Sequence, residues 1–141
     1  MQIIKIIKIV IILTFMTNNL FANNKYFNEG LILFEQKNFN RAKFKFEQDL
    51  VFNPKSEKSY LYLSKIFNAL KKINLEERNL DSVILLNPEN EEATYGLAKL
   101  KLNKSDYAGS KKLINKLLVF CKKYCQKGKK LKIEVENSQK K

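Results

Sequence analysis

Cys121 and Cys125 are the two cysteines in this chain of 141 residues, and it has no histidine to partner them. Without histidine there is no imidazole base, no imidazole metal ligand, and no triad or zinc site built on either. Two thiolates alone fall short of a four-ligand zinc site. In Cys121-Lys122-Lys123-Tyr124-Cys125 three residues separate the cysteines, so this is not the Cys-x-x-Cys of a thioredoxin-like catalyst. Asp81, Asp106 and the pairs Glu76-Glu77 and Glu91-Glu92 have no basic or nucleophilic partner at a matching place. They read as solvated helix faces and caps. Glycines at 30, 96, 109 and 128 complete neither Gly-x-Gly-x-x-Gly nor the P-loop pattern. No catalytic residue, metal or cofactor is expected, and the chain reads as a non-enzyme.

What must hold these residues begins with an address. Residues 1–22 carry Lys5 and Lys8, then the apolar run Ile9 to Met16, then Leu20-Phe21-Ala22 with a small residue at a cleavable place. The uncharged stretch from Ile9 to Ala22 is too short, and with Thr17, Asn18 and Asn19 too polar, to span a hydrocarbon core of ~30 Å comfortably. The expectation is a signal peptide over 1–22, cut near Ala22, and a periplasmic or secreted mature protein. In an exported chain an even number of cysteines favours oxidation. A bridge between residues four apart inside one helix is strained. A helix ending near Lys123 lets Cys125 swing back and pin the following turn. A structural Cys121–Cys125 disulfide is expected, adding about 2 kcal/mol.

Charge is distributed unevenly. Residues 23–110 hold 14 basic and 12 acidic side chains, whereas 111–141 hold 11 lysines against Glu134 and Glu136. The middle is a balanced globular surface and the end is a basic tail. Only Arg41 and Arg78 among the 27 cations are arginine, the residue suited to two-point reading of phosphate and guanine. Specific nucleic-acid binding is therefore not expected. Peripheral contact between the tail and an anionic surface is kept as the alternative reading of that charge.

Pro54 and Pro88 stand 34 residues apart, each after Asn and an apolar segment. Sliding the chain by the same step places Tyr26 on Tyr60, Leu33 on Phe67, Phe46 on Leu80 and Ile114, and Gly30 on Ser64 and Ala98. Within each period, apolar residues recur at three-and-four spacing: Tyr26, Phe27, Gly30, Leu31, Leu33, Phe34, then Phe39, Ala42, Phe46, Leu50. That spacing predicts helices over 24–37, 39–52, 57–71, 73–86, 91–103 and 106–123. Ser56, Asn90 and Asp106 are placed to cap, and Pro54 and Pro88 to stop the helices before them. A seventh helix over 127–137 is expected from Leu131 and Val135, although Leu131-Lys132-Ile133-Glu134-Val135 alternates like a strand.

These residues resemble the tetratricopeptide repeat (TPR) family, whose signature spans 34 residues. Tyr26, Gly30, Leu33, Ala42, Phe46 and Pro54 match it in 23–56; Tyr60, Leu63, Ser64, Phe67, Leu80 and Pro88 in 57–90; Leu97, Ala98, Ser110 and Ile114 in 91–126. Glu29, Glu76, Thr94, Lys101 and Lys122 depart from it. The resemblance implies an all-α fold of tandem antiparallel helix pairs, a TPR-like right-handed α-solenoid, with 127–141 as a basic capping helix and tail. It also implies that the first helix of each pair lines an inner groove.

Three sets would then face inward: Phe27, Leu61, Tyr95; Leu31, Lys65, Lys99; and Phe34, Asn68, Leu102. An apolar stripe beside lysines suits a peptide or partner protein. The alternative is that the last helix or the tail folds back over the stripe. Some members of the family hold C-terminal tails in a dicarboxylate clamp of Lys, Arg and Asn; here Lys58, Lys65, Asn68 and Lys99 are the residues such a clamp would use.

Overall fold

The computed structural model describes residues 25–140, so the expected signal peptide lies outside the described residues. Within them seven helices follow one another and no strand occurs: α1 (Lys25–Glu35), α2 (Phe39–Phe52), α3 (Glu57–Ala69), α4 (Ile73–Leu86), α5 (Glu91–Asn103), α6 (Tyr107–Phe120) and α7 (Cys125–Ser138). The 34-residue period is visible in the backbone itself. Inside the pairs, Lys37, Lys71 and Ser105 take left-handed backbone at φ 58°, 55° and 60°. Around the first, the Asn38 N–H donates to the Leu33 carbonyl and the Lys37 N–H to the Phe34 carbonyl. The same two bonds recur one and two periods on, from Lys72 and Lys71 and from Asp106 and Ser105. Each turn thus closes the orphan carbonyls of the helix before it.

Between pairs, Asn53 and Asn87 leave the helix while their N–H groups still donate to Asp49 and Val83, and Pro54 and Pro88 follow. Cys121 is the third equivalent, bonded to the Leu117 carbonyl, with Lys122 where the proline would stand. It turns into extended backbone, so α6 stops at Phe120, short of the expected Lys123. Asn90 and Asp106 accept the Ala93 and Gly109 N–H groups at 2.8 Å. Ser56 Oγ accepts the Ser59 N–H at a looser 3.4 Å.

Contacts divide the chain into a unit ending at Ser59 and a unit from Tyr60 to Lys141. In the first, α1 and α2 run antiparallel, since Tyr26 stacks on Phe52 at 5.4 Å while Phe34 meets Phe39 at 5.7 Å. Phe46 is fully buried against Gly30, where a Cβ would lie only 2.7 Å from the ring. Glycine admits the ring there. Buried Asp49 accepts a short hydrogen bond from the Ser59 hydroxyl.

The second unit has two adjoining cores. Leu80 and Val83 of α4 pack with Ala93, Leu97 and Leu100 of α5. Ala98 and Leu102 of α5 pack with Ile114 of α6 and with Leu131 and Val135 of α7. Buried Ser110 brings α6 close to α5 by donating its hydroxyl to the Ala98 carbonyl at 2.8 Å. Glu76, where the family pattern has a small residue, is half-buried and accepts from the Asn68 amide at 2.9 Å. Helix α7 begins at the second cysteine and runs past the expected 127–137. Leu131 and Val135, one turn apart, both face the core, and Ile133 points outward at 58% exposure, so the helical period wins over the alternation.

Candidate peptide-binding cleft

Helices α3, α4 and α5 enclose a cleft of about 590 Å³ within the second unit. Leu61 and Tyr95 supply apolar surface to it, and Lys65, Asn68 and Lys99 supply polar ends. These five come from the inward sets expected one period apart on α3 and α5. Residues outside those sets complete the lining: Lys71, Glu76, Glu92, Asn103, Lys104, Tyr124 and Lys127 among them.

The remaining groove residues lie elsewhere. Phe27, Leu31 and Phe34 are half-buried on α1 in the first unit, where Phe27 leans on Phe46 at 5.7 Å. Lys58 does not line the cleft. Leu102 is the correction: it is 8% exposed and sits in the core beside Leu131 and Val135, because α7 packs against the last helix pair and covers that register position. Self-coverage therefore holds for Leu102 and reaches Tyr95 in part, which packs on the same core, while Leu61 and Tyr95 both still line the cleft.

The charge on the cleft is unbalanced. Five lysines line it against two glutamates, and both glutamates are already engaged. Glu92 pairs with Lys65 Nζ at 2.9 Å, and Glu76 accepts from Asn68. Burial raises the Glu76 carboxyl above its ordinary value, with the Asn68 bond opposing. Lys104 pairs with Glu77 at 2.7 Å, and Lys101 meets the same carboxylate at 2.7 Å, which holds Glu77 below its ordinary value. Lys99 is exposed and has no ion-pair partner among the described residues.

One end of the cleft is shaped by the turn between α6 and α7. The Tyr124 ring lies 5.5 Å from Tyr95 at 51°, and Lys127 Nζ sits 4.5 Å over the Tyr124 ring. Glu91 Oε2 accepts the Lys123 N–H at 2.8 Å and the Tyr124 N–H at 2.7 Å. The Tyr124 amide and then the neighbouring N–H groups hold the Glu91 carboxyl below its ordinary value. Burial, then the charges of Glu92 and Glu91, push the Tyr124 phenol up. Across the turn, Cys121 and Cys125 form a disulfide with Cα atoms 5.3 Å apart. The spacing argument missed Tyr124 and Lys127 because they fall outside the periodic helix faces. The available signal was a tyrosine enclosed between two cysteines.

Among the described residues no cluster of three or more Cys, Asp or Glu is placed to hold a metal ion. No helix of the described residues is long and apolar enough to cross a membrane.

The architecture is a TPR-like fold of antiparallel helix pairs, and solved structures share it. The TPR2B domain of yeast Sti1, in its pHsp70 complex, superposes with a TM-score of 0.75 at 12% identity over 82% of this chain and 97% of that one. The Sgt2 TPR domain from Aspergillus fumigatus gives 0.72 at 16% identity, over 85% and 83%. The first TPR of Spaghetti (RPAP3), bound to the HSP90 peptide SRMEEVD, gives 0.73 at 13% identity, over 81% and 90%. No protein-family profile matches the chain, and no curated protein matches it significantly by sequence.

Proposed function

We propose that this protein is an exported interaction module whose second unit holds an extended acidic peptide of a partner protein in the α3–α5 cleft. One observation carries the reading: Leu61 and Tyr95 line one cleft with five lysines, and the two glutamates there are already paired. Apolar anchors give a peptide buried contact, and the cleft lysines outside the ion pairs, Lys71, Lys99 and Lys127, steer and orient acidic side chains. Two neighbours of the same fold are seen with pHsp70 and with the acidic HSP90 peptide, which fits a cleft of this kind. Fluorescence anisotropy with labelled SRMEEVD as probe tests the reading. Binding should weaken about tenfold or more in Lys65→Glu/Lys99→Glu with helicity intact, and weaken with salt. Absence of binding by the unaltered chain, or equal binding by the double variant, rejects an acidic ligand.

Attachment to an anionic envelope surface is a second reading, favoured by the exposure of Lys111, Lys112, Lys116, Lys122, Lys123, Lys129 and Lys130. Near such a surface each lysine contributes on the order of 1 kcal/mol. Because α7 carries core residues, substituting Lys129 and Lys130 with Gln is a cleaner test than removing 127–141. Sedimentation with phosphatidylserine vesicles should fall while peptide binding stays. Export rests on residues 1–22, and N-terminal sequencing of mature protein should begin near Asn23.

A further inference from the structure

The turn that ends the cleft is the one connection between helix pairs without proline. At the first two, Pro54 and Pro88 restrict the chain; at the third, Lys122 stands in that register and a covalent bridge from Cys121 to Cys125 spans the turn. Proline is permanent, whereas a disulfide can be undone. Tyr124 lies inside this five-residue loop, and its ring meets Tyr95 across the cleft.

We propose that the Cys121–Cys125 loop is a thiol-controlled wall of the cleft: oxidised, it holds Tyr124 against Tyr95, and reduced, it releases Tyr124 and opens that end. The inference rests on the proposed cleft for its biological meaning, but its geometry stands alone. Both cysteines are half-buried rather than sealed, so a small dithiol can reach them. Cys125 is the first residue of α7, with Lys122 and Lys123 beside it in the loop, an arrangement that favours its thiolate and makes it a good leaving group. In the exchange, a thiolate of a dithiol donor attacks Cys121 Sγ, the Cys121–Cys125 bond breaks, and Cys125 leaves as thiolate and takes a proton. The donor's second thiol then displaces Cys121 as its thiol. The protein gains two electrons and two protons, and the donor becomes a cyclic disulfide.

What remains after reduction is the Glu91 carboxylate accepting two amides, the Gly128 N–H donating to the Tyr124 carbonyl at 2.8 Å, one ring contact, and Lys127 over the Tyr124 ring. Gly128 packs on Leu117 and Leu118 at the end of the first turn, and Leu131 and Val135 lie farther along α7, so the helix stays docked while the loop before Cys125 is freed. Glu91 is accordingly a positioning residue, acting on the cleft through Tyr124.

The test is NMR on the full mature chain, oxidised and after dithiothreitol. Reduction should remove the Tyr95–Tyr124 ring cross-peak and lower amide protection at Lys123 and Tyr124 by about tenfold or more, leaving Leu131 and Val135 unchanged. Cys121→Ser/Cys125→Ser should match the reduced protein without reductant. Retention of the cross-peak and of the protection in either form overturns the proposal, as does loss of protection throughout α7, which makes the bridge a general staple. Anisotropy with the SRMEEVD probe runs in parallel. Binding that weakens about tenfold on reduction ties the wall to the ligand, and no binding in either state rejects the acidic-peptide reading while the cross-peak still decides the wall.

Discussion

The first helix pair and the third meet the same packing problem with opposite volumes. In α1 and α2 the facing positions are Gly30 and Phe46, and the glycine leaves room for a whole buried ring. Two periods on, α5 and α6 place Ala98 opposite the shorter Ile114, both fully buried in one core. The small side grows as the large side shrinks. The period therefore dictates where two helices touch, while the combined volume at that point decides how closely they pack.

The largest test of this comparison is to empty the large side. Phe46→Ala should cost about 3–5 kcal/mol by chemical denaturation, since nothing at Gly30 can fill the vacated space. Ile114→Ala should cost less, about 2–4 kcal/mol, because fewer atoms are lost beside Ala98. Equal losses would mean that the ring's size does not matter at that contact.

A smaller effect sharpens the same idea from the other side. Gly30→Ala puts a methyl against the buried Phe46 ring and should cost about 1–3 kcal/mol. Pairing it with Phe46→Ile recreates the combination of the third pair, and the double variant should recover about 1 kcal/mol relative to the sum of the singles. Gly96→Ala is the control, because its new Cβ would sit at an ordinary 3.4 Å from Leu80. Additive singles would remove volume exchange as the explanation.

Much of this was legible in the residues. Pro54 and Pro88, with Phe46, Leu80 and Ile114 in step, announce six helices, because stops and large core residues act locally and repeat. The five cleft residues Leu61, Lys65, Asn68, Tyr95 and Lys99 were legible for the same reason: they fall at repeating positions on α3 and, one period on, α5. Leu102 was not, since its exposure depends on where α7 packs, and α7 carries an ambiguous apolar pattern. Tyr124 was hidden more deeply. Its place is set by the bridge and by Glu91, which lies more than thirty residues before it and whose role no spacing rule encodes.

The turns inside the pairs offer a gain. Lys37, Lys71 and Ser105 pay for left-handed backbone with a side chain, where glycine costs nothing sterically. Lys37→Gly and Ser105→Gly should each stabilise by about 0.5–1 kcal/mol after the extra entropy of glycine in the unfolded chain is offset. Similar gains at both sites would show the two turns to be equivalent although the cores they join differ. Unequal gains would place part of the difference between the pairs in the turns themselves.

The smallest effect separates the turn at 87–90 from the turn at 121–124. In the former the Asn87 side-chain oxygen accepts the Glu89 N–H at 3.2 Å, and that amide does not titrate. In the latter the acceptor is the Glu91 carboxylate, held below its ordinary 4.5 chiefly by the Tyr124 amide. A carboxyl whose pKa is lower in the folded chain stabilises fully above its unfolded pKa, and that contribution is lost as pH falls through the folded one. The Lys123 and Tyr124 amide proton shifts should therefore hold steady from neutrality to about pH 5 and then move with a midpoint below 4.5, while the Glu89 amide stays flat. Glu91→Gln keeps an acceptor and should abolish the titration without displacing Tyr124. A midpoint at or above 4.5 would mean that the two N–H groups do not grip the carboxylate in solution, leaving the bridge alone to hold the wall.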